Sequence, residues 1–469
     1  MTTQQRDALV LFVLAALARL AFHNLTGFVA DDAFITFRYA QNLAAGQGFV
    51  YNVGERVLGT TTPLFTFILA MGSTLGLGIP KFALAITLAA SGLTAVVIYQ
   101  LALQLRLTYW AALPAIMYIF WPRSIVADSC GMESALFSLL ITAAVYYYTR
   151  RQPVNALALA TLATLTRPEG ILLVGLLVIH QFISRRDQFV RSLMIPLFLL
   201  GPWLVFATLY FGSALPQSIS GKQALYSLFG ATSRWDTLVY LMAWHNPVGW
   251  LMTVAAAAGG WWLAKKQNWG AMAGCWMIGL IGFYVATGAK MFFWYPAPLY
   301  PLLFIFIAGA WPLILEKWPR LDTVARRFRW WALSAVALLL VAGNYFSVRY
   351  FTAYQQDLNA CHRAIGVYLH AQVQPNETVA AEDIGYMGFY SRCRILDRDG
   401  LISPEAAPYN RVGNYAGLID DFKPGWVVAS LDSPISGFVS DSTFLDRYQM
   451  EQSFTGNSWR YAVYHRKPL

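Results

Sequence analysis

Apolar segments long enough to cross a bilayer recur along most of this chain, and short loops carrying arginine or lysine separate them. Backbone buried in lipid must satisfy its own hydrogen bonds, so each segment is predicted to be a helix. Only 12% of the 469 residues are charged, whereas a soluble protein carries about 25%. We therefore predict a polytopic α-helical membrane protein.

The basic loops predict the orientation, because loops rich in arginine and lysine stay in the cytoplasm. The net charge of +10 follows this pattern, which argues against a nucleic-acid partner. The first apolar segment lacks a clear cleavage site and is predicted to be a retained helix. With the basic loops inside, about eleven spans are predicted, at residues 8–22, 82–104, 108–122, 131–149, 153–166, 168–184, 191–211, 248–264, 268–288, 296–315 and 330–347.

One apolar segment, residues 62–79, does not fit this count. As a span it would put either Asp31-Asp32 or Arg150-Arg151 on the wrong side of the membrane. We predict that this segment lies in the outer interface or re-enters without crossing.

Two domains are predicted. Residues 1–347 form the transmembrane domain, with a first outer loop at 23–81 and a long outer loop at 212–247. Residues 348–469 are more polar and form a soluble α/β domain on the outer face. Its predicted elements are a helix at 355–372 and strands at 378–381, 394–396, 426–429 and 460–464. Cys361 and Cys393 both lie in this domain, and the sequence leaves open whether they form a disulfide.

The adjacent carboxylates of Asp31 and Asp32 directly follow the first apolar segment. Acids at the end of a membrane helix are costly, which indicates a site rather than a folding requirement. Two neighbouring carboxylates resist ionising together, so one pKa rises toward the range of a general base. The alternative is structural, because aspartate also favours the start of a helix.

Other polar residues of the outer loops are candidate ligands. Structural alternatives exist for several: an arginine–glutamate pair can stabilise a turn, an outer lysine can be merely solvated, and a lysine beside aromatic residues can belong to an interfacial belt. The candidates for the donor phosphate or substrate are Arg38, Arg167, Glu169, Lys222, Lys290 and Tyr295, and those for the acceptor or a metal are Asp128 and Glu133.

These residue types suit the transfer of a sugar from a phosphate-linked membrane donor. A carboxylate would deprotonate the acceptor hydroxyl, cations would stabilise the departing phosphate, and an apolar groove would hold a polyprenyl tail. A divalent cation, Mg²⁺ or Mn²⁺, would help to neutralise the phosphate, although lysine and arginine would suffice. No Walker loop, HExxH, GxSxG or nucleotide-binding glycine motif is present.

Four sequence blocks lie in the first outer loop: DDAFITFRYA (31–40), GQGFVYN (46–52), GERV (54–57) and GTTTPL (59–64). Further blocks follow along the chain: GMES (131–134), TRPEG (166–170), residues 211–222, DIG (383–385) and DRDGL (397–401). In this order the blocks resemble those of bacterial GT-C glycosyltransferases, in particular the terminal arabinofuranosyltransferases of the mycobacterial cell wall. The blocks of the first outer loop are the most specific, and the later ones are weaker.

The resemblance implies a GT-C fold with interfacial helices and a catalytic acid in the first outer loop. By carry-over, Asp31 is the first choice for that acid and Asp32 the second. Glu133 matches an acid that helps to bind metal or acceptor in some relatives, and Lys222 matches a base near the donor phosphate. The sequence departs from the family at Gln217 or Ser218, where many relatives have asparagine, and at Lys290, where arginine is common.

The resulting expectation is a multi-pass enzyme of the bacterial inner membrane that uses a polyprenyl-phosphate sugar, with arabinofuranose as the leading candidate. The acceptor would be a cell-envelope glycan, a lipid or a protein on the outer face. One alternative is a lipid-linked sugar flippase without transferase chemistry. That activity would need polar residues along a path through the bilayer, whereas those found here cluster on one side. The other is a binding protein whose outer domain is the functional part.

Overall fold

The computed structural model describes residues 1–105, 110–184, 186, 189–222, 233–288, 290–318 and 320–468. These residues fold into two compact units. One comprises Met1–Leu25, Ala83–Trp203 and Thr232–Arg349, and the other comprises Thr26–Phe82, Leu204–Ala231 and Tyr350–Leu469. The predicted domain boundary between residues 347 and 348 stays a prediction.

Helices form most of the described chain, and each predicted span coincides with at least part of one. In chain order they are α1 Thr3–Thr26, α2 Asp31–Ala44, α3 Pro63–Thr74, α4 Ile79–Gln104, α5 Ala112–Phe120, α6 Pro122–Ser129, α7 Ser134–Thr149, α8 Pro153–Thr166, α9 Ile171–Ser184, α10 Phe189–Phe211, α11 Arg234–Met242, α12 Pro247–Lys266, α13 Asn268–Thr287, α14 Tyr300–Lys317, α15 Arg320–Leu358, α16 Ala364–Gln372, α17 Ile384–Ser391, α18 Ala407–Val412, α19 Tyr415–Phe422 and α20 Ser442–Leu445.

Six helices of the described chain are long and apolar enough to cross a membrane, and the bent pair α6–α7 raises the number to seven. This is consistent with a multi-pass membrane protein, and the number of eleven spans stays a prediction. Helix α3 has 12 residues and is therefore about 18 Å long, which is short of the ~30 Å hydrocarbon core. Its length agrees with the prediction that residues 62–79 do not cross.

The first unit is a helical bundle in which small residues allow close helix packing. Gly259 of α12 is one such contact, because an added Cβ would overlap the backbone of α14 at Phe306. Helices α6 and α7 meet at an angle of 114°. Gly131 lies in the break between them with a φ of +84°, a conformation that glycine adopts without strain.

The second unit contains a five-stranded sheet, in the order β2-β1-β3-β5-β4. Its strands are β1 Thr378–Ala381, β2 Arg394–Asp397, β3 Trp426–Ser430, β4 Tyr448–Thr455 and β5 Arg460–Arg466. Strand β1 is parallel to both β2 and β3, and β5 is antiparallel to β3 and β4. The first outer loop covers the edge strand β2, where the Asn52 amide both donates to and accepts from the backbone of Ile395.

The predicted α/β domain is confirmed, with four of its five strands located from sequence. Strand β4 was missed because most of its side chains are exposed and polar, so it lacks the alternation of a half-buried strand. The predicted helix at 355–372 is not continuous: α15 extends to Leu358, and a π-helical turn, Asn359–Arg363, precedes α16. Cys361 and Cys393 are not bonded to each other, and both thiols are free.

Candidate active site

Asp31 lies in the first turn of α2, but its carboxylate caps a different helix. Its Oδ2 accepts a hydrogen bond from the amide of Gly385 at 2.9 Å, and its Oδ1 accepts one from Tyr386 at 3.0 Å. Both amides belong to the first turn of α17, where backbone N–H groups lack partners within the helix. The negative charge also interacts favourably with the positive end of the α17 dipole.

Gly385 makes this approach possible. A Cβ at this position would overlap the backbone of Asp31 and crowd its Oδ2 atom. The DIG block therefore has a local physical reason: its glycine lets the first turn of α17 reach the carboxylate.

His362 is the third partner of Asp31. Its Nδ1 lies 3.1 Å from Asp31 Oδ1, and its Nε2 lies 3.0 Å from the Tyr461 hydroxyl. That hydroxyl donates its proton to Asp383 Oδ2 at 2.6 Å, so its oxygen must accept from Nε2–H. An ionised Asp31 can only accept, so Nδ1 also carries a proton. We infer that His362 is an imidazolium held between two carboxylates.

These contacts set the charge of Asp31. Burial would raise the pKa of Asp31, but the His362 ring and the two α17 amides outweigh this effect and hold the pKa below its usual range. Asp31 is therefore an ionised carboxylate, and both of its oxygens already accept hydrogen bonds. Such a group is a weak proton acceptor.

Asp32 has the opposite surroundings. Its side chain is 34% exposed, compared with 16% for Asp31. Its partial burial raises the pKa of Asp32. The positive charge of Lys222 partly offsets this rise, and the nearby charges of Asp31 and Asp383 add to it. A raised pKa makes a carboxylate a better proton acceptor at neutral pH.

Lys222 lies beside Asp32, with 3.9 Å between Nζ and Oδ2, and its side chain is 30% exposed. The chain segment before it is fixed to two other parts of the second unit. The Gln217 amide donates to the Leu58 carbonyl at 2.7 Å, and Gly221 approaches the backbone of Gly400 so closely that a Cβ would overlap it. Lys222 and the paired acids therefore lie close together in the structure, and the contact of Lys222 with the donor phosphate stays a prediction.

The carboxyl ends of the parallel strands supply the remaining groups of this site. Asp383 is the second residue after β1, and Tyr461 pairs with Ser430, the last residue of β3. In sheets with parallel strands this edge is the usual position of a ligand site. Asp31 and His362 come from distant parts of the sequence and meet Asp383 and Tyr461 here.

One group among the described residues has donor atoms close enough together to hold a metal ion: Asp31, His362 and Asp383. Metal binding requires a neutral imidazole with a free lone pair, whereas both His362 nitrogens donate hydrogen bonds here. The group as arranged does not fit a metal, and the divalent cation stays a prediction.

Arg38 has structural partners. Its guanidinium donates to the backbone carbonyls of Tyr51 at 2.8 Å and Cys393 at 2.6 Å, and also to that of Gly388. The residue is only 3% exposed. These contacts join the first outer loop to α17 and to Cys393, the residue before β2. The predicted phosphate contact of Arg38 stays a prediction.

A second polar cluster lies in the first unit and brings together the GMES and TRPEG blocks. The Arg167 guanidinium lies 3.8 Å from Glu133 and 3.3 Å from Glu169, and it packs over the Tyr295 ring at 5.2 Å. The Tyr284 hydroxyl donates to Glu169 at 2.7 Å. Four of the predicted site residues therefore meet, although Arg167 is already shared between two carboxylates.

Asp128 and Lys290 have simpler surroundings. Asp128 is buried and forms a 2.8 Å ion pair with the equally buried Arg19, and it accepts a hydrogen bond from Tyr118. Lys290 is exposed, and its ammonium lies 5.7 Å from the Phe292 ring centroid. The substrate or metal roles of both residues stay predictions.

Sequence reasoning did not assign roles to His362, Asp383 or Tyr461. Asp383 carried a usable signal, since it follows a predicted strand and lies in a block quoted for the resemblance. His362 carried none, because the π-helical turn that positions it has no clear sequence signature.

Comparisons with known proteins agree with this architecture. Residues 347–464 match a family model described as Domain of unknown function (DUF8728). The chain is 29% identical over 243 residues to the terminal beta-(1->2)-arabinofuranosyltransferase of Mycobacterium tuberculosis. That match covers 47% of this chain and 38% of the curated relative, so the chain spans well under half of that protein's length.

Two crystal structures of ArnT from Cupriavidus metallidurans share the fold. One is bound to undecaprenyl phosphate and the other is in the apo state. Each aligns with a TM-score of 0.60 at 16% identity, over 98% of this chain and 99% of its own. The predicted GT-C fold and the resemblance to the mycobacterial transferase are thereby confirmed.

Proposed function

We propose that this protein is a membrane glycosyltransferase that uses a polyprenyl-phosphate sugar and that Asp32 is its general base. The observation that carries the proposal is the pairing of Asp32 with Lys222, a carboxylate of raised pKa beside a lysine at 3.9 Å. Both side chains are partly exposed, as groups that meet a substrate must be.

The reaction assigns one role to each partner. Asp32 accepts the proton of the acceptor hydroxyl while the hydroxyl oxygen attacks the anomeric carbon of the sugar. The bond from that carbon to the phosphate oxygen breaks, and the electron pair leaves with the polyprenyl phosphate. The Lys222 ammonium stabilises the charge that develops on the phosphate. Mg²⁺ or Mn²⁺ would supply further charge neutralisation if bound.

Asp31 has a positioning role in this proposal. It fixes the start of α2 to α17 and His362, and Asp32 is the next residue of the same helical turn. This assignment reverses the order expected from the resemblance, which favoured Asp31 as the base. Glu133, Arg167, Glu169, Lys290 and Tyr295 are kept as candidate substrate contacts. Structural roles are proposed for Arg38 and Asp128 beside their predicted substrate or metal roles.

Arabinofuranose is the proposed sugar, and a cell-envelope glycan on the outer face of the inner membrane is the proposed acceptor. The similarity to the mycobacterial terminal beta-(1->2)-arabinofuranosyltransferase supports the sugar. The undecaprenyl phosphate in the ArnT crystal structure supports a polyprenyl-phosphate donor. A lipid or a protein acceptor would need the same chemistry.

The test uses purified protein in lipid with a panel of polyprenyl-phosphate sugars and a cell-envelope glycan. The readout is release of polyprenyl phosphate, with and without a metal chelator. We expect turnover with the arabinofuranosyl donor. Turnover with another sugar would support the transferase activity and show that the donor sugar is not arabinofuranose. Tight donor binding without turnover across several acceptor classes would contradict the proposal and favour the flippase.

A further inference from the structure

The DRDGL block (397–401) has no role in the transfer described above, although it lies in the same unit as the paired acids. It forms the end of β2 and the turn that follows this strand. The carboxylate of Asp397, the last residue of β2, accepts hydrogen bonds from the amides of Asp399 at 2.9 Å and Ile402 at 3.0 Å. Asp399 contributes its amide to these bonds and not its carboxylate, and the residue is partly exposed.

The turn after β2 is attached to the segment that carries Lys222. The Gln217 side-chain amide donates to the Gly400 carbonyl at 3.4 Å, and Gly221 packs so closely against Gly400 that a Cβ would overlap its carbonyl group. Asp399 and Lys222 are the chain neighbours of these two glycines. The donor sugar is bonded directly to the phosphate that Lys222 is proposed to contact, so we expect the turn to lie beside the sugar as well.

Two further acids lie at the same edge of the sheet, directly after β1. Glu382 accepts a hydrogen bond from the Ser430 amide of β3 at 3.1 Å, and its side chain is 11% exposed, compared with 39% for Asp383. Burial raises the pKa of Asp399 well above its usual range, and the charge of Asp397 and those of the two acids after β1 add to the rise. A carboxyl group of raised pKa can both donate and accept hydrogen bonds, as a sugar hydroxyl does.

Polar groups behind these acids lack partners. Arg398 is fully buried; its Nη1 donates to the Val428 carbonyl at 3.5 Å and its Nη2 lies 3.7 Å from Glu382 Oε2. The Arg398 Nε and the Tyr415 hydroxyl have no hydrogen-bond partner among the described residues, and Tyr415 is only 6% exposed. Burial raises the pKa of this hydroxyl and the charge of Asp399 adds to the rise, which places the two groups near each other. Buried polar groups normally have partners, so polar groups of a ligand are expected here.

We propose that Asp399, Glu382 and the Tyr415 hydroxyl form the subsite for the sugar of the polyprenyl-phosphate donor, with the sugar hydroxyls as their hydrogen-bond partners. Carboxyl groups beside an aromatic hydroxyl offer the acceptors and donors that a ring with several hydroxyls needs. The acids would repel a bare phosphate, which favours the sugar as the occupant. The inference rests on the proposed function and adds to it the residues that recognise the sugar.

Donor binding to the full-length protein in lipid nanodiscs tests this sugar subsite without requiring turnover. The probes are undecaprenyl-phosphate arabinofuranose and undecaprenyl phosphate, which lacks the sugar. Asp399→Ala should weaken binding of the sugar-bearing lipid about tenfold, because hydrogen bonds to a carboxyl group are lost, and should leave binding of undecaprenyl phosphate within about twofold of wild type. Tyr415→Phe, which removes one hydroxyl, should weaken binding of the sugar-bearing lipid about threefold and should not lower thermal stability.

The matched control is Asp446→Ala, which removes an exposed aspartate of the same unit and should change neither affinity. Asp399→Asn keeps the size of the side chain and serves if the alanine variant unfolds; it should also weaken binding of the sugar-bearing lipid. Equal binding of that lipid by the Asp399 variants, Tyr415→Phe and the control would overturn the proposal. Equal weakening of both lipids would also overturn it, since the residues would then act on the phosphate.

The transfer assay separates this inference from the proposed function. If the sugar-bearing lipid binds to wild type and less tightly to Asp399→Ala, but no acceptor gives turnover, the subsite stands and the transferase activity is contradicted. If wild type turns over and Asp399→Ala has an unchanged KM for the donor, the subsite is contradicted and the transferase activity stands. A raised KM for the acceptor with unchanged donor affinity would overturn the assignment to the donor sugar.

Discussion

Asp31 and Asp32 are neighbours in the sequence, yet their carboxylates meet different chemistry. The difference arises from the first turn of α2, which points Asp31 at the amides of α17 and brings Asp32 to Lys222. One carboxylate is held in its ionised form by hydrogen bonds. The other has a raised pKa and is accessible, which is what a general base requires. Asp31 and Asp32 therefore have different roles and do not act as one unit.

The first prediction concerns the pH dependence of transfer. Asp32 must be deprotonated to act as a base, so activity should fall as the pH decreases through its raised pKa. Lys222 holds this pKa down, and Lys222→Gln should therefore move the acid limb of the profile to higher pH. Loss of a charged phosphate contact should also raise the KM for the donor about tenfold.

The pH–rate profile of wild type and variant checks this prediction, with Lys81→Gln as the control. Lys81 is an exposed lysine in the same unit. An acid limb that stays in place in Lys222→Gln would show that Lys222 does not act on the essential carboxylate.

At the scale of elements, the start of α17 is the structural centre of the site. This helix has no side-chain cap of its own, and Asp31 supplies the missing acceptor from α2. The π-helical turn before α16 carries His362, which holds the other side of the same carboxylate. The carboxylate of Asp31 thus joins α2, α17 and the π-helical turn.

The second prediction follows from the space at Gly385. Gly385→Ala should force α17 away from Asp31, because the new Cβ would overlap its backbone. Loss of two hydrogen bonds to a charged group should lower the unfolding free energy by about 2–4 kcal/mol. Thermal unfolding measures this effect, and amide hydrogen exchange at 385 and 386 should accelerate.

Gly437→Ala is the matched control, since nothing lies within 4 Å of a Cβ at that position of the same unit. If both variants unfold at the same temperature and exchange at the same rate, the contact between Asp31 and α17 is not present in solution.

At the scale of the whole molecule, the sequence predicted most of the architecture because its signals were local. Apolar length and basic loops indicated the helices, and short apolar runs located four strands. The resemblance indicated the fold, and the adjacent acids after the first apolar segment indicated the site. Asp383 and His362 could not be joined to Asp31 from sequence, because 331 residues separate Asp31 from His362 and only the fold brings them together. Asp128 is the opposite case. It was a candidate from the sequence, and the fold gives it a structural partner, Arg19.

The most direct test of the central claim compares Asp32→Asn, Asp31→Asn and the exposed Asp446→Asn in the transfer assay, with donor affinity and thermal stability measured on the same samples. The account predicts that Asp32→Asn lowers the turnover rate about 10²- to 10⁴-fold while donor binding and stability stay near those of wild type. Asp31→Asn should lower stability, and Asp446→Asn should change nothing. Normal turnover in Asp32→Asn, with turnover lost in a stably folded Asp31→Asn, would contradict the account.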